Sequence, residues 1–316
     1  MIIPDYFVSC DWGTSNFRLR LIHTKSLNVL VEHKTNQGIK ILHQKFLAQS
    51  QLNQIAFFKN YLLSQIENLS DHQIARLIVI AGMASSNIGL MELDYGEMPF
   101  NIEGKGLNWK TIPFQKGQDI LLISGVKGEL GMMRGEEMQA LGLIKYINSY
   151  QDGILILPGT HSKHITYRTG SFTALKSFMT GELFELLSNK SILSNNIESC
   201  PWSMKRKKSF EEGLLIGFNK ELSANLFSIR ARHLLQKSNK KDNYFMLSGM
   251  LIGDELSYLK NHKTTIFLAA PEPFYHIYKL ALESIFIKGQ IICFGDSVLE
   301  TALLTAQKKI IQLHAN

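Results

Sequence analysis

The hydrophobic positions of the chain form short apolar runs that end in turns of small and polar residues. Residues 6–10 (Tyr-Phe-Val-Ser-Cys) are typical of a buried strand, and residues 17–21 alternate strictly between apolar and polar positions. Because side chains alternate in direction along a strand, this period of two predicts a half-exposed strand. Similar patterns predict strands at 27–32, 77–81 and 120–123 and helices at 44–66 and from Arg134 onward.

The same succession of elements begins again at Gly153. The apolar run 154–157 predicts a buried strand, and residues 163–168 and 171–177 predict two more. The remaining elements are predicted as helices at 180–189 and 210–237, a strand at 244–247 leading into Ser248, and strands at 265–269 and 290–294, each followed by a helix. This order, repeated twice, predicts an α/β protein with an N-terminal lobe at 1–150 and a C-terminal lobe at 151–316.

A Gly-Thr turn follows the first strand of each half, at Gly13-Thr14 and at Gly159-Thr160. Glycine lets a phosphate group approach the main chain, and the backbone N–H groups and the threonine hydroxyl can donate to it. Asp11 precedes only the first turn, and a carboxylate beside phosphates suits magnesium. Either turn alone is explained by ordinary turn chemistry. The pair in register favours a polyphosphate site.

Composition narrows the class of protein. The chain has 316 residues, of which 45% are hydrophobic and 19% charged, so it is too apolar to be disordered and long enough for two domains. No apolar run approaches the roughly 18 residues of a membrane span, and the first residues lack a secretory signal pattern. The three cysteines, Cys10, Cys200 and Cys293, are too far apart for a zinc motif or a disulfide framework. We therefore expect a cytoplasmic protein with no membrane partner.

The net charge of +7 allows either a nucleic-acid surface or attraction for small anions. The densest basic run, 205–208 (Lys-Arg-Lys-Lys), lies in polar surroundings without aromatic residues for base stacking. A solvated loop explains it better, and we expect no nucleic-acid partner.

Several blocks of unusual sequence lie at ends of predicted strands or starts of predicted helices. They are residues 11–18 (Asp-Trp-Gly-Thr-Ser-Asn-Phe-Arg), 81–86 (Ala-Gly-Met-Ala-Ser-Ser), 133–142 (Met-Arg-Gly-Glu-Glu-Met-Gln-Ala-Leu-Gly), 157–163 (Leu-Pro-Gly-Thr-His-Ser-Lys) and 178–184 (Phe-Met-Thr-Gly-Glu-Leu-Phe). Together they resemble the 2-dehydro-3-deoxygalactonokinase family, which belongs to the sugar kinase, actin and Hsp70-like ATPase superfamily. The resemblance extends from about residue 5 to the C-terminal helix.

This resemblance implies two ribonuclease-H-like lobes with a nucleotide cleft between them. It also implies an ATP- and magnesium-dependent kinase that phosphorylates the 6-hydroxyl group of 2-dehydro-3-deoxy-D-galactonate in galactonate catabolism. Asp11 is then the catalytic carboxylate that organises magnesium and its waters. The residues expected to hold the triphosphate are Gly13, Thr14 and Ser15 at one end and Gly159 and Thr160 at the other.

Glu136 and Glu137 are the other catalytic candidates. They stand in the first turn of a predicted helix, where the helix dipole favours acids by about 0.3–1 kcal/mol each. By the resemblance this helix faces the cleft, where one carboxylate is the base or both shape the sugar pocket. Stabilisation by the helix dipole and a role in the cleft both stay open as explanations.

The candidates for binding the sugar acid and adenosine come from several blocks. Arg134 and Arg18 are rivals for the substrate carboxylate, since a guanidinium group pairs bidentately with it, and each has a structural role as its alternative. The other substrate candidates are Ser85, Ser86, His161, Lys163 and Glu182. The resemblance implies adenosine binding by Ser248, Gly249 and Gly253, for which an ordinary turn between a strand and a helix is the alternative.

Two other functions remain open. One is a kinase of the same fold that acts on another sugar acid or polyol. The other is an ATPase switch of the actin or chaperone kind, which is disfavoured because the chain has no spare length for added contact segments. The oligomeric state is open as well, with a homodimer as one option.

Overall fold

The computed structural model of the protein describes residues 3–71, 74–115 and 117–315, which divide into two compact units. The first unit comprises the chain up to Gln151, Thr166–Leu175 and the segment from Ser297 onward. The second comprises Asp152–Ile165 and Lys176–Asp296. The last helix therefore groups with the first unit. Among the described residues, no helix combines the length and apolar character that a membrane crossing requires.

The elements alternate between strands and helices along the chain. In chain order the strands are β1 (Tyr6–Trp12), β2 (Phe17–His23), β3 (Val29–Thr35), β4 (Leu77–Gly82), β5 (Gly96–Glu97), β6 (Phe100–Asn101), β7 (Trp109–Gln115), β8 (Gln118–Ile123), β9 (Val126–Lys127), β10 (Met132–Met133), β11 (Asp152–Leu157), β12 (Ser162–Arg168), β13 (Ser171–Phe178), β14 (Thr265–Ala269) and β15 (Ile291–Phe294). The helices are α1 (Ile39–Leu47), α2 (Gln54–Ile66), α3 (Glu136–Ile147), α4 (Thr180–Lys190), α5 (Lys207–Phe218), α6 (Leu222–Gln236), α7 (Lys240–Leu256), α8 (Phe274–Ile285) and α9 (Asp296–Ala315).

The main sheet of the first unit has the strand order β3-β2-β1-β4-β8-β7. Strands β1, β2 and β3 form an antiparallel meander. Beyond β1, strands β4 and β8 continue the sheet parallel to β1. Alternate residues of β1, such as Cys10 and Trp12, are fully buried and pack with Phe58 and Leu62 of α2 in one core. This parallel arrangement brings the carboxyl ends of β1 and β4 to the same edge, where ligands bind in open α/β sheets.

A second sheet has the order β15-β14-β11-β12-β13, and β6 pairs with the Ser171–Phe172 end of β13 within the first unit. Strands β11, β14 and β15 are parallel. The order repeats that of the first sheet, in which a three-strand meander is extended by parallel strands beyond its first strand. This repetition confirms the predicted α/β class with ribonuclease-H-like lobes.

The strand predicted at 244–247 is wrong, because these residues lie inside α7. Asn239 caps this helix, since its side chain accepts a hydrogen bond from the Lys241 backbone N–H. The helix is buried on most sides, so its apolar residues form a continuous run that resembles a buried strand. The single helices predicted at 44–66 and 210–237 are each divided into two, α1 with α2 and α5 with α6.

Candidate active site

The first Gly-Thr turn is held against the start of α1. The Gly13 N–H donates to Asn16 O at 2.9 Å, and the backbone N–H groups of Ile39 and Lys40 donate to the carbonyl groups of Gly13 and Thr14 at 3.0 and 3.1 Å. Thr14 and Ser15 are exposed and line an open cavity of about 530 Å³ that also includes Asp11. The predicted residues of the first turn are therefore gathered around one space.

Asp11 lies at the end of β1 opposite Arg18 of β2. Its Oδ2 is 3.5 Å from Arg18 Nη2, and Arg18 Nη1 is 3.0 Å from Glu300 Oε1 of α9. The Asp11 side chain is 40% exposed. Arg18 thus bridges two accessible carboxylates, a structural role that its sequence position had left open.

The surroundings of Asp11 agree with a magnesium ion that is bound mainly through water and phosphate. Within the described residues, no group of three His, Cys, Asp or Glu side chains could hold a metal ion. Magnesium usually binds one or two carboxylates, keeps several waters and completes its shell with substrate phosphates. A single accessible aspartate beside a phosphate-type turn fits that requirement.

Arg134, just before α3, is fixed by contacts from two neighbouring segments. Its Nη1 donates to the backbone carbonyl of Ser85 and, at 2.7 Å, to Ser85 Oγ. Its Nε lies 3.4 Å from Tyr95 OH, and its guanidinium carbon lies 4.1 Å from the centre of that ring. Ser85 and Ser86 follow β4 in a short 3₁₀ turn and are buried. The predicted residues Arg134 and Ser85 are therefore in direct contact.

The two glutamates of α3 turn back toward the backbone in front of the helix. Glu136 Oε2 accepts from the Arg134 N–H at 3.0 Å, and Glu137 Oε2 accepts from the Gly135 N–H at 2.6 Å. Gly135 has φ +112°, a conformation that other residues rarely adopt. Both acidic side chains thus lie at the helix start, and each accepts a hydrogen bond from a backbone N–H in front of the helix.

Glu137 differs from Glu136 in its burial. Glu137 is 0% exposed, and Oε1 has no hydrogen-bond partner among the described residues. Burial, reinforced by the nearby charge of Glu136, raises the pKa of Glu137 to about 8. The carboxyl group therefore keeps its proton at neutral pH. A carboxyl group with such a pKa is suited to proton transfer or to donating a hydrogen bond, but Glu136 is the one that reaches solvent.

The second Gly-Thr turn packs against the start of α4. The Glu182 N–H donates to Thr160 O at 3.1 Å. A Cβ atom on Gly181 would lie 2.6 Å from Gly159 O, so the two segments are in backbone contact. His161 Nε2 lies 2.6 Å from Glu182 Oε2, and both side chains are accessible. The structure thus pairs two predicted substrate residues with each other.

A cavity of about 380 Å³ opens beside the second turn, within the second unit. Gly159 and Thr160 form one part of its wall, and aromatic side chains that the sequence analysis did not select form much of the rest. These aromatic residues are Phe184, Trp202, Tyr244, Phe245, Phe274 and Tyr278. An apolar aromatic wall next to backbone donors can accommodate a flat base at one end and a charged group at the other.

The predicted adenosine residues separate into two groups. Ser248 lines this cavity, and its role in adenosine binding stays a prediction. Gly249 and Gly253 are buried against α5, where a Cβ atom would lie 2.1 Å from Phe210 O and 2.2 Å from Leu214 O, respectively. The turn on which their prediction depended is absent, and close helix packing explains why these positions are glycine.

Lys163, the remaining substrate candidate, lies in β12 and is 6% exposed. Its side chain is thus buried. Lys163 follows the second turn closely in the sequence, but unlike His161 it is not accessible at the surface.

The chain is similar to known proteins over a range that includes both Gly-Thr turns. The sequence model of the family described as 2-keto-3-deoxy-galactonokinase matches residues 11–305. A Rhizobium meliloti (strain 1021) protein assigned as a 2-dehydro-3-deoxygalactonokinase is 29% identical over 81% of each chain. The 2-dehydro-3-deoxygalactonokinase of Escherichia coli (strain K12) is 26% identical, again over 81% of each chain.

A solved structure extends the similarity to the backbone. A crystal structure of a Sinorhizobium meliloti protein described as a 2-dehydro-3-deoxygalactonokinase has a TM-score of 0.79 and 26% sequence identity. The match covers 96% of this chain and 95% of the other.

Proposed function

Because the chain belongs to the 2-keto-3-deoxy-galactonokinase family, we propose that it transfers the γ-phosphoryl group of ATP to the 6-hydroxyl group of 2-dehydro-3-deoxygalactonate. Family membership makes the protein a sugar-acid kinase, a phosphotransferase with an alcohol group as acceptor. The observation that carries the choice of donor is the aromatic cavity beside Gly159 and Thr160.

ATP binds, in this proposal, with its adenosine in the aromatic cavity and part of its triphosphate on the second turn. The volume of about 380 Å³ lies in the usual range for small-ligand sites. Neither Gly13 nor Gly159 has a protein atom closer than 3.6 Å to the place of a Cβ, which leaves room for a phosphate oxygen at both turns. The expectation that the two turns hold opposite ends of one triphosphate stays a prediction.

Asp11 is the residue that would hold magnesium, through the ion's waters, with Thr14 and Ser15 beside it. When bound, magnesium neutralises charge on the phosphate groups during transfer. Arg18, on the neighbouring strand β2, orients the Asp11 carboxylate through the 3.5 Å contact between them.

Arg134 would bind the carboxylate of the sugar acid. A guanidinium group has five N–H donors, and the contacts to Ser85 and Tyr95 use only Nη1 and Nε. The planar group is held by the Tyr95 ring, which reduces the entropy lost when a carboxylate binds. Glu136 is the acidic residue of this cluster that can reach a hydroxyl group as the base, while Glu137 holds the Gly135 N–H.

The test is ATP consumption by the purified protein, with and without 2-dehydro-3-deoxygalactonate, its gluconate-derived epimer and a set of polyols. We expect little ADP without an acceptor and the highest kcat/KM with the galactonate-derived acid, phosphorylated on its 6-hydroxyl group. A higher kcat/KM for another acceptor would identify a different sugar kinase. Rapid ATP hydrolysis without an acceptor would indicate an ATPase switch.

A further inference from the structure

A connected set of hydrogen bonds lies in the interior of the second unit, centred on the carboxylate of Glu255 in α7. Glu255 Oε1 is 2.8 Å from His164 Nε2, and both side chains are 1% exposed. Glu255 Oε2 accepts from the hydroxyl groups of Thr180 and, at 2.9 Å, Tyr278. The carboxylate therefore has three protein donors, the arrangement that makes a buried charge tolerable.

The network continues beyond these three donors. Tyr278 OH also lies 3.2 Å from Ser162 Oγ, and His164 Nδ1 lies 2.8 Å from Tyr258 OH. Burial and the charge of Glu255 raise the pKa of both tyrosines, so they stay neutral and can donate. His164 Nε2 lies against Glu255 and Nδ1 against Tyr258, so both ring nitrogens have a hydrogen-bonding partner. Every buried member thus has a partner, which makes the network stiff.

The elements joined by Glu255 are those that form the second Gly-Thr turn. Ser162 and His164 belong to β12, which begins immediately after the turn. Thr180 is the first residue of α4, yet its hydroxyl donates to Glu255 and does not cap the helix. The next residue, Gly181, is in backbone contact with Gly159 and Thr160. The position of the turn therefore depends on where β12 and α4 are held.

Two members of the network also reach the cavity. Thr180 and Tyr278 line its wall together with Gly159 and Thr160, whereas Glu255 and His164 are not among the lining residues. Glu255 can consequently influence a bound nucleotide only through the groups that it positions.

We propose that Glu255 is a positioning residue of the nucleotide site, which fixes the second Gly-Thr turn by holding β12, the start of α4 and Tyr278 on one buried carboxylate. The inference rests on the proposed assignment of this cavity to ATP. It predicts that disturbing the network weakens nucleotide binding selectively and leaves the proposed acceptor contacts of Arg134 and Ser85, in the first unit, unchanged.

The main test compares Glu255→Leu with Glu255→Gln in the full-length protein. Leu removes the carboxylate acceptor of three buried donors, so we expect the KM for ATP to rise at least about tenfold. The KM for the acceptor should stay within about twofold, and direct binding of ADP without acceptor should weaken in parallel. Gln keeps an acceptor for Thr180 and Tyr278, and its amide can donate to the other tautomer of His164. It should therefore restore the KM for ATP to within about threefold of wild type.

Milder variants cover the case in which Glu255→Leu does not fold. Thr180→Val should raise the KM for ATP, and Thr180→Ser, which keeps the hydroxyl, should restore it. Tyr258 is not among the residues that line the cavity. Tyr258→Phe should raise the KM for ATP by about twofold to threefold, since it removes the hydroxyl group that contacts His164. Tyr167→Phe is its matched control, because it removes a buried tyrosine hydroxyl that accepts from the Gly170 N–H in the turn between β12 and β13.

The outcomes separate this inference from the proposed function. An unchanged KM for ATP in these variants, or equal increases in both KM values, overturns the positioning role while the kinase assignment stands. A wild-type protein that neither binds ADP nor uses ATP overturns the proposed function, and this inference with it.

Discussion

The two Gly-Thr turns have the same sequence but opposite surroundings. The first is flanked by accessible charged groups, in which Arg18 bridges Asp11 and Glu300. The second is backed by the buried Glu255 network and opens onto an aromatic cavity. Exposed ion pairs contribute only about 0–1 kcal/mol, so the contacts of Arg18 with Asp11 and Glu300 can be exchanged at little cost. In the proposed kinase, the first turn would therefore bind charged groups and the second would hold the nucleotide in place.

Removing the charge of Asp11 should have the largest effect on catalysis. Asp11→Asn keeps the size of the side chain but not the carboxylate that magnesium requires, so kcat should fall at least about a hundredfold with the fold retained. Glu300→Gln is the matched control, since it removes the other carboxylate of the Arg18 contact and should leave kcat within about twofold. An Asp11→Asn enzyme with more than about a third of the wild-type kcat would exclude the metal role.

The first unit also contains a buried acid that should make stability depend on pH. The pKa of Glu137 is about 8 in the folded protein against an ordinary value of 4.5. Since folding raises this pKa, the folded state binds the proton more tightly, and stability is lost as the pH rises from the unfolded value toward the folded one. Glu137→Gln cannot ionise and should avoid this loss. Its advantage in unfolding free energy over wild type should grow by about 2 kcal/mol between about pH 6 and pH 8.5.

Urea unfolding at the two pH values measures this effect. Glu67→Gln makes the same chemical change at an exposed position after α2 and serves as the control. If the difference between Glu137→Gln and wild type is the same at both pH values, Glu137 is ionised in the folded protein throughout this range.

A substitution of Arg134 tests the proposed acceptor site separately from the two turns. Lysine keeps the charge but loses the planar group that contacts Ser85 and Tyr95, so Arg134→Lys should raise the KM for the sugar acid at least about tenfold. The KM for ATP should change little. Arg18→Lys is measured in parallel. If only the Arg18 variant is impaired, the carboxylate binds beside the first turn, and if neither changes, the backbone near Ser85 is the better candidate.

The smallest expected effects test how closely phosphate approaches each turn. A Cβ on Gly159 or Gly13 would meet no protein atom closer than 4.0 or 3.6 Å, so alanine at either position should leave stability almost unchanged. If a phosphate oxygen occupies that space, each variant should raise the KM for ATP about threefold to fivefold. Gly289→Ala, where a Cβ meets nothing within 4 Å, is the control. An unchanged KM for one of the two variants would show that its turn does not contact the triphosphate.

The sequence predicted the features that depend on local chemistry. Strands β1 and β11 and the turns that follow them could be identified because a buried apolar run and a Gly-Thr turn are both short-range signals. The start of α3 at Glu136 was likewise predicted, since acids favour the first turn of a helix. These elements carry most of the candidate site.

The features that were missed depend on tertiary context. Helix α7 was predicted in part as a strand, because burial removes the polar positions that give a helix its period. Edge strand β7 contains Pro113, which argues against a strand in any pattern-based prediction. Glu255 meets Thr180 from 75 residues away, and no spacing rule connects them. The high pKa of Glu137 also follows from burial that its position at a helix start does not reveal.

The contact between α5 and α7 has a consequence for how the protein can evolve. Gly213 and Gly217 of α5 pack against the backbone of α7, and Gly249 and Gly253 of α7 pack against the backbone of α5. A Cβ on any of the four would lie within 2.2 Å of a backbone oxygen on the opposite helix. No side chain is available there to yield, so the two helices tolerate neither substitution nor a gradual change in spacing. Ser248 and Ile252 line the cavity from the same α7. In the proposed nucleotide site, adaptation to a different base is therefore expected at Phe274, which lines the same cavity from the start of α8 and is partly exposed, and not along the glycine-packed helix.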